Sequence, residues 1–402
     1  SLKRSKDAIK YFMLPSMFFE DMGLTYIGPI DGHNINSMID ALQTANKANK
    51  AVVIHTITKK GKGYSPAEKY PSRFHGTPPF IIDNGKPLRN NTRPSYTKVF
   101  SNALIKNAKN NDKVVAITAA MPYGTGLMAF KKLFPHRFFD VGIAEGHAVT
   151  FAAGMATEGF RPVVAIYSTF LQRAYDQIVH DVCINNLPVV FVIDRAGITG
   201  RDGKTHQGIF DLSYLSHIPN LTVLAPKNNW ELEEMLSFAL SYDGPVAIRY
   251  PKGEAYQGLE EYKAPINYGK SEIIHKEKDI AILAVGSMVK TGVTVTKLLK
   301  EQGLNVTLVN VRFVSPIDYQ MFDELIKDHT IFITMEDNVR TGGFGQQVSD
   351  YMFKYQNQGI KLINFSIPDK FIDQGSVDEL YNELGLNGTS IAEKILDDIQ
   401  LL

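Results

Sequence analysis

The stretch Arg137-Phe-Phe-Asp-Val-Gly-Ile-Ala-Glu-Gly-His-Ala-Val-Thr-Phe-Ala-Ala-Gly154 decides the fold. It reads as a short strand, Phe138 to Ile143, a single acid, Glu145, and then a helix of small apolar residues. Glu145 stands where strand meets helix, with Ile143, Ala144, Val149 and Phe151 as its neighbours. Burial among such residues disfavours the charged form of an acid and suits it to proton transfer. The alternative reading is an acid that only favours a first helical turn.

The same alternation extends outward in both directions. Lys113 to Thr118, Pro162 to Ile166, Pro188 to Ile193, Leu221 to Ala225 and Pro245 to Arg249 are short β-rich runs. Helical patterns lie between them, for example Phe170 to Asn185 and Trp230 to Ser241. Strands joined by helices predict an α/β fold, parallel sheets with helices on both faces and ligands at the carboxyl ends of the strands. Strands at 279–285, 304–310, 330–335 and 361–365, with helices at 289–301, 319–327, 343–355 and 389–400, repeat the plan. Upstream, Ile35 to Asn49 is a helix and Ala51 to Ile57 a buried strand, followed by Lys59-Lys-Gly-Lys-Gly63 and a loop rich in turn formers. The predicted division is residues 1–82, a linker at 83–94, then 95–262 and 263–402.

Forty-three basic residues against 42 acidic ones leave almost no net field, so neither nucleic acid nor an anionic membrane is indicated as a partner. Cys183 is the only cysteine, which rules out an internal disulfide and fits a reducing cytoplasm. Its setting, His180-Asp-Val-Cys-Ile-Asn-Asn186, reads as core filling. No apolar run reaches membrane-spanning length. The chain opens on Ser1 and a charged segment, which suggests a piece of a longer product.

Every residue suited to chemistry lies just past a strand. Tyr167-Ser-Thr-Phe-Leu-Gln-Arg-Ala-Tyr-Asp176 follows one, Asp194-Arg-Ala-Gly-Ile-Thr-Gly-Arg-Asp-Gly-Lys-Thr-His-Gln-Gly208 another, and Arg249-Tyr-Pro-Lys-Gly253 a third. Singly, each Arg or His is as well explained by solvation or structure. Together, Arg195, Arg249 and Lys252 are expected to converge on one phosphate, whose oxygens match guanidinium forks. Asp202 and His206 share a loop with Arg195 and suit proton relay or hydroxyl binding. Lys59 to Gly63 is either a solvated basic turn or a diphosphate cradle with Lys60. His75, in Phe74-His-Gly76, is unremarkable on its own. Gly342-Gly343 reads as a tight turn opening a helix. No zinc spacing, P-loop, nucleophile elbow or dinucleotide fingerprint is present.

Phe139 to Gly154, Ala165 to Gln177, Asp194-Arg-Ala-Gly197, Thr205-His-Gln-Gly208 and Arg249-Tyr-Pro251 resemble, in order, motifs of the 1-deoxy-D-xylulose-5-phosphate synthase family. Tyr26 to His33 and Thr58 to Tyr64 extend the resemblance over essentially the whole chain. It implies a thiamine-diphosphate-binding fold plus a transketolase C-terminal-like domain, with 1–82 the remnant of a diphosphate-binding domain and 95–262 the pyrimidine-binding domain. It implies a homodimeric transferase that condenses pyruvate with D-glyceraldehyde 3-phosphate, releasing CO2, on thiamine diphosphate and magnesium, for isoprenoid, thiamine and pyridoxal synthesis. By matching motif, Glu145 contacts the cofactor aminopyrimidine and Phe170 packs on it, while Lys60 lies near the diphosphate. Arg195 and Arg249 hold the substrate phosphate, and Tyr167, Asp202 and His206 contact the substrate. Glu145, His206 and His75 are the implied catalytic residues.

Three departures qualify the resemblance. Gly146 replaces the family's Gln, and Lys252 replaces its second Arg. The Gly-Asp-Gly magnesium motif is absent, so the chain alone is expected not to hold the magnesium-bound cofactor tightly. A subunit of a two-chain transketolase, or a keto-acid dehydrogenase β subunit, is the alternative, and a scaffold without activity is a further one.

Overall fold

The computed structural model describes residues 16–77, 79–88 and 93–400. The chain divides into two compact units, Ser1–Thr92 and Arg93–Leu402.

In the first unit, β1 (Thr25–Asp31) and β2 (Val52–Ile57) pair in parallel, joined by the helix Ile35–Asn46. β1 was recognised in sequence only as a motif. Asn34 starts the helix by accepting a hydrogen bond from the Ser37 amide, a standard N-cap. Gly28 has no substitute, because an added Cβ would lie 2.5 Å from the His55 carbonyl oxygen. Lys59 to Gly63 follows β2 as a turn, and the short helix Ser65–Lys69 comes after it.

The second unit holds two sheets. The first part of the chain supplies β3 (Val114–Thr118), β4 (Phe138–Asp140), β5 (Arg161–Tyr167), β6 (Val190–Asp194), β7 (Thr222–Leu224) and β8 (Val246–Tyr250). The later part supplies β9 (Glu272–His275), β10 (Asp279–Val285), β11 (Val306–Val311), β12 (Phe313–Ser315), β13 (His329–Val339) and β14 (Lys361–Ile367). The orders are β12-β7-β8-β6-β5-β3-β4 and β14-β13-β10-β11-β9. Both sheets are parallel except at one edge, where β12 runs antiparallel to β7 and β9 antiparallel to β11. Neither β9 nor β12 was predicted. Each is only three or four residues long, too short for its periodicity to register.

Two expected elements differ. The strand opening the diagnostic stretch stops at Asp140 rather than Ile143. The Asp140 carboxylate accepts from the Ala120 and Gly142 amides, and Gly142 takes φ +73, so the chain turns away from the sheet. Ile143 is consequently 80% exposed. The predicted helix from Phe170 to Asn185 is a chain of short pieces: an α turn at Ser168–Leu171, a 3-10 turn at Gln172–Ala174, an α turn at Tyr175–Gln177 and a π stretch at Ile178–Cys183.

Cys183 is buried in the hydrophobic core, and burial pushes its thiol up to about 12. The chain passes from β11 in one sheet to β12 in the other through Arg312. There a fully buried charge cluster binds the two sheets. Lys227 Nζ donates to Glu231 and Glu272, Arg312 donates to Glu231 and forms an ion pair with Glu272, and Asn310 donates to both carboxylates. Buried ions persist only when paired in this way.

Candidate functional site

The carboxyl ends of β4, β5, β6 and β8 bring the predicted residues of the second unit into two groups. Glu145 is the first residue of the helix Glu145–Thr157 and is 4% exposed. A cation stands beside it. Arg173 Nη1 donates to Glu145 Oε1 at 2.5 Å, and among the described residues Oε2 takes no hydrogen bond. Gly146, the next residue, leaves room for the Gln177 side-chain carbonyl, which a Cβ would approach to 3.1 Å.

A column of rings runs from Glu145 through Arg173 to the end of β5. The Arg173 guanidinium lies 4.9 Å from the centre of the Phe170 ring. Phe170 stacks on Tyr167 with centroids 5.7 Å apart and 13° between planes. The Tyr167 ring also carries the Arg195 guanidinium at 3.9 Å from its centre. His206 meets Phe170 edge-on at 5.4 Å, its Nδ1 2.9 Å from the Thr205 hydroxyl. The sequence placed these residues at strand ends, and the structure brings five of them, Glu145, Phe170, Tyr167, Arg195 and His206, into one cluster.

Arg195 is held in a left-handed backbone conformation, φ +61, just past β6. It donates to the Gly124 carbonyl at 2.9 Å and to Asp194 at 2.7 Å. Asp194 is buried at the end of β6, and burial raises its carboxyl despite the adjoining cation. Gly124 fits beneath Tyr167 only because it lacks a side chain: an added Cβ would lie 2.0 Å from the tyrosine oxygen. Burial pushes the Tyr167 hydroxyl up to about 12, so it stays protonated and donates at neutral pH.

The other two cations are engaged by carboxylates. Arg249, on β8, is buried and gives Nε and Nη2 to Asp211 at 3.1 and 3.2 Å. Its Nη1 pairs with Asp337 at the end of β13. Ser287 donates to the same Asp337 carboxylate at 2.8 Å, and a Cβ on Gly197 would meet that carboxylate at 2.2 Å. Lys252 forms an ion pair with Asp202. Each of the three cations therefore already has a carboxylate partner of its own.

In the first unit, Lys60 and His75 are brought together, Nζ and Nδ1 being 2.9 Å apart. Lys59 pairs with Glu68, whose other oxygen accepts from the Gly63 amide. Among the described residues no group of three His, Cys, Asp or Glu side chains is placed to hold a metal ion. No helix among them is long and apolar enough to cross a membrane.

Sequence reasoning missed Arg173, Gly124, Asp211 and Asp337. Arg173 carried a signal, since three residues past Phe170 on a helical turn puts it over that ring. Asp211 and Asp337 carried none, because only tertiary contact gives two acids distant in sequence one arginine.

Residues 92–257 match the family described as the transketolase pyrimidine-binding domain, and 269–391 the transketolase C-terminal domain. Residues 1–58 match the family described as 1-deoxy-D-xylulose-5-phosphate synthase. The chain is 61% identical over 395 residues to the 1-deoxy-D-xylulose-5-phosphate synthase of Lachnoclostridium phytofermentans, covering 98% of itself and 63% of that relative. It is 50% identical to the enzyme of that name from Natranaerobius thermophilus, covering 100% of itself and 64% of the relative. The chain thus spans less than two thirds of these relatives' length. Among solved structures it resembles a split-gene transketolase described as an inactive β4 tetramer, with a TM-score of 0.67 and 25% identity over 75% of this chain and 97% of the other. A transketolase from Campylobacter jejuni, at TM-score 0.63 and 17% identity over 95% of this chain and 68% of the other, shares the fold.

Proposed function

This chain belongs to the 1-deoxy-D-xylulose-5-phosphate synthase family, and from that premise we propose that it supplies the aminopyrimidine and substrate side of that transferase. The reaction condenses pyruvate with D-glyceraldehyde 3-phosphate to 1-deoxy-D-xylulose 5-phosphate and CO2, and feeds isoprenoid, thiamine and pyridoxal synthesis. The reading is carried by one observation: a buried carboxylate with one oxygen unengaged stands within a single guanidinium's reach of an aromatic face.

That arrangement fits the ring half of thiamine diphosphate. Glu145 would accept from the aminopyrimidine and Phe170 would hold it by its ring face. Thiamine diphosphate, when bound, supplies an acidic thiazolium carbon and an electron sink. The described residues do not fit the magnesium half, and no step is assigned to a metal. The chain's own residues do the rest. Glu145 holds a proton against the pyrimidine and passes it, which is general acid–base work. Tyr167 donates its hydroxyl proton to substrate oxygen, and His206, edge-on to Phe170, faces the same region. Arg195 holds the substrate phosphate. Arg249, with Asp211 and Asp337 taking its donors, reaches a phosphate only if that network opens, and Asp202 likewise acts once released by Lys252. In the first unit, Lys60 serves the diphosphate and His75 a proton on the substrate side. The domain division at 83–94 and near 262, a homodimeric assembly and a cytoplasmic setting complete the proposal.

The split-gene resemblance favours a second reading, a chain completed by a separate polypeptide. The 61% identity to an undivided relative and the match over residues 1–58 weigh against it.

The test fuses this chain to the unmatched part of the Lachnoclostridium phytofermentans relative and assays product formation with added cofactor and magnesium. The fusion is expected to be active, and Glu145→Gln to lower kcat by about a thousand-fold, the scale of a lost proton relay. Wild-type kcat in the Glu145→Gln fusion would overturn the reading.

A further inference from the structure

The two contacts that the proposed function gives to an aminopyrimidine are both made by Arg173. Its guanidinium donates to Glu145 Oε1 and lies over the Phe170 ring. A guanidinium and an aminopyrimidine share a planar N–C–N edge with amino protons on one side and a π surface above and below. The slot therefore selects a chemistry, and one residue of the chain already satisfies it.

We propose that the space between the Phe170 face and the Glu145 carboxylate is a seat for planar N–C–N groups, filled by Arg173 until a ligand ring of that chemistry evicts it. The inference rests on the reading above only for the identity of the evicting ring.

Three features make the arginine displaceable. Its side chain is 55% exposed, while that of Glu145 is 5% exposed, so the acid is fixed and the cation free to leave into water. It is held by one hydrogen bond and one ring contact, with no other hydrogen bond from its guanidinium among the described residues. It also sits in the 3-10 turn Gln172–Ala174, between an α turn and a π stretch, where the backbone ladder is irregular. Phe170, by contrast, is clamped against Tyr167, which is clamped in turn by Arg195. The walls of the seat have more contacts than its occupant.

A seat occupied from within lowers the apparent affinity for any ligand by the fraction of time it is blocked. Displacing a half-exposed ion pair with a cation–π contact costs on the order of 1 kcal/mol, which is about a five-fold change in affinity.

The test uses the 402-residue chain and two small probes, 4-amino-2-methylpyrimidine and methylguanidinium, titrated by ligand-observed NMR. Arg173→Ala is expected to bind both about five-fold more tightly than the parent chain. Arg173→Lys, which keeps the charge and loses the plane, should gain nearly as much for both. Adding Glu145→Gln to Arg173→Ala should abolish the gain. Equal or weaker binding of both probes by a folded Arg173→Ala chain, checked by its melting curve, would overturn the proposal. A gain for methylguanidinium without one for the pyrimidine would uphold the self-occupied seat and count instead against the cofactor reading of Glu145.

Discussion

Gly124 and Tyr167 fit each other atom against atom, and the fit sets where the ring column stands. Tyr167 stands out in sequence as a residue just past a strand; Gly124 does not. The tyrosine is held by two neighbours, with Phe170 stacked on its ring and the Arg195 guanidinium over it. Gly124→Ala should therefore overpack the site, at a cost of about 1–3 kcal/mol, and appear as a lower melting temperature. Because the ring column would shift, near-ultraviolet circular dichroism should change as well. An unaltered melting curve would mean that Tyr167 has freedom the packing denies it. At the same scale, Glu145 was legible as a buried acid, and its burial holds. Its pairing with Arg173 was not, because the spacing that brings Arg173 to the Phe170 ring says nothing about a carboxylate 28 residues away in sequence.

β8 and β13 belong to different sheets and meet through three side chains. Arg249 comes from one strand, Asp337 from the end of the other, and Asp211 from the short helix Asp211–Leu215. Burial raises the Asp211 carboxyl, with Arg249 opposing that rise. Replacing Arg249 by Met leaves two carboxylates buried without a cation. The expected loss is about 3–5 kcal/mol, read as a lower urea midpoint. Combining Arg249→Met with Asp211→Asn and Asp337→Asn should recover part of it, since no ion then lacks a partner. If Arg249→Met alone unfolds at the parent midpoint, the network is solvated rather than buried. The strands and helices themselves were largely legible from periodicity, and the failures have local causes. Asp140 ends β4 early by accepting two amides, and the helix after Phe170 breaks into pieces although its pattern is continuous.

At the scale of the molecule, buried acids set the response to pH. Glu336, beside Asp337, accepts from the Phe344 and Gly345 amides at the start of the helix Phe344–Met352. Burial pushes its carboxyl up to about 8 against the pull of those two donors. Between its ordinary value of 4.5 and about 8, the folded chain keeps a proton that the unfolded chain has released. Its contribution to stability is thus present below pH 4.5 and lost as pH rises through about 8. Asp194 and Asp211, also raised by burial, act in the same direction. Urea midpoints across this range should fall with pH, and Glu336→Gln should flatten the fall; a parallel profile in the variant would assign it elsewhere. With no metal-holding cluster among the described residues, calorimetry of the 402-residue chain with magnesium and thiamine diphosphate should show no micromolar binding. A micromolar isotherm would refute that expectation.

Periodicity by itself determined the alternation of strand and helix, because side-chain spacing follows directly from backbone geometry. It also placed every predicted site residue of the second unit at or just past a strand end, and motif resemblance assigned them roles. Which of those residues meet was decided only by tertiary packing. Arg195 and Arg249 look equivalent along the chain, yet one stacks on Tyr167 in the candidate site and the other locks two sheets together. The difference lies in which carboxylates and rings the sheets bring within a few ångströms, and that is a property of three-dimensional contact that spacing along a chain does not encode.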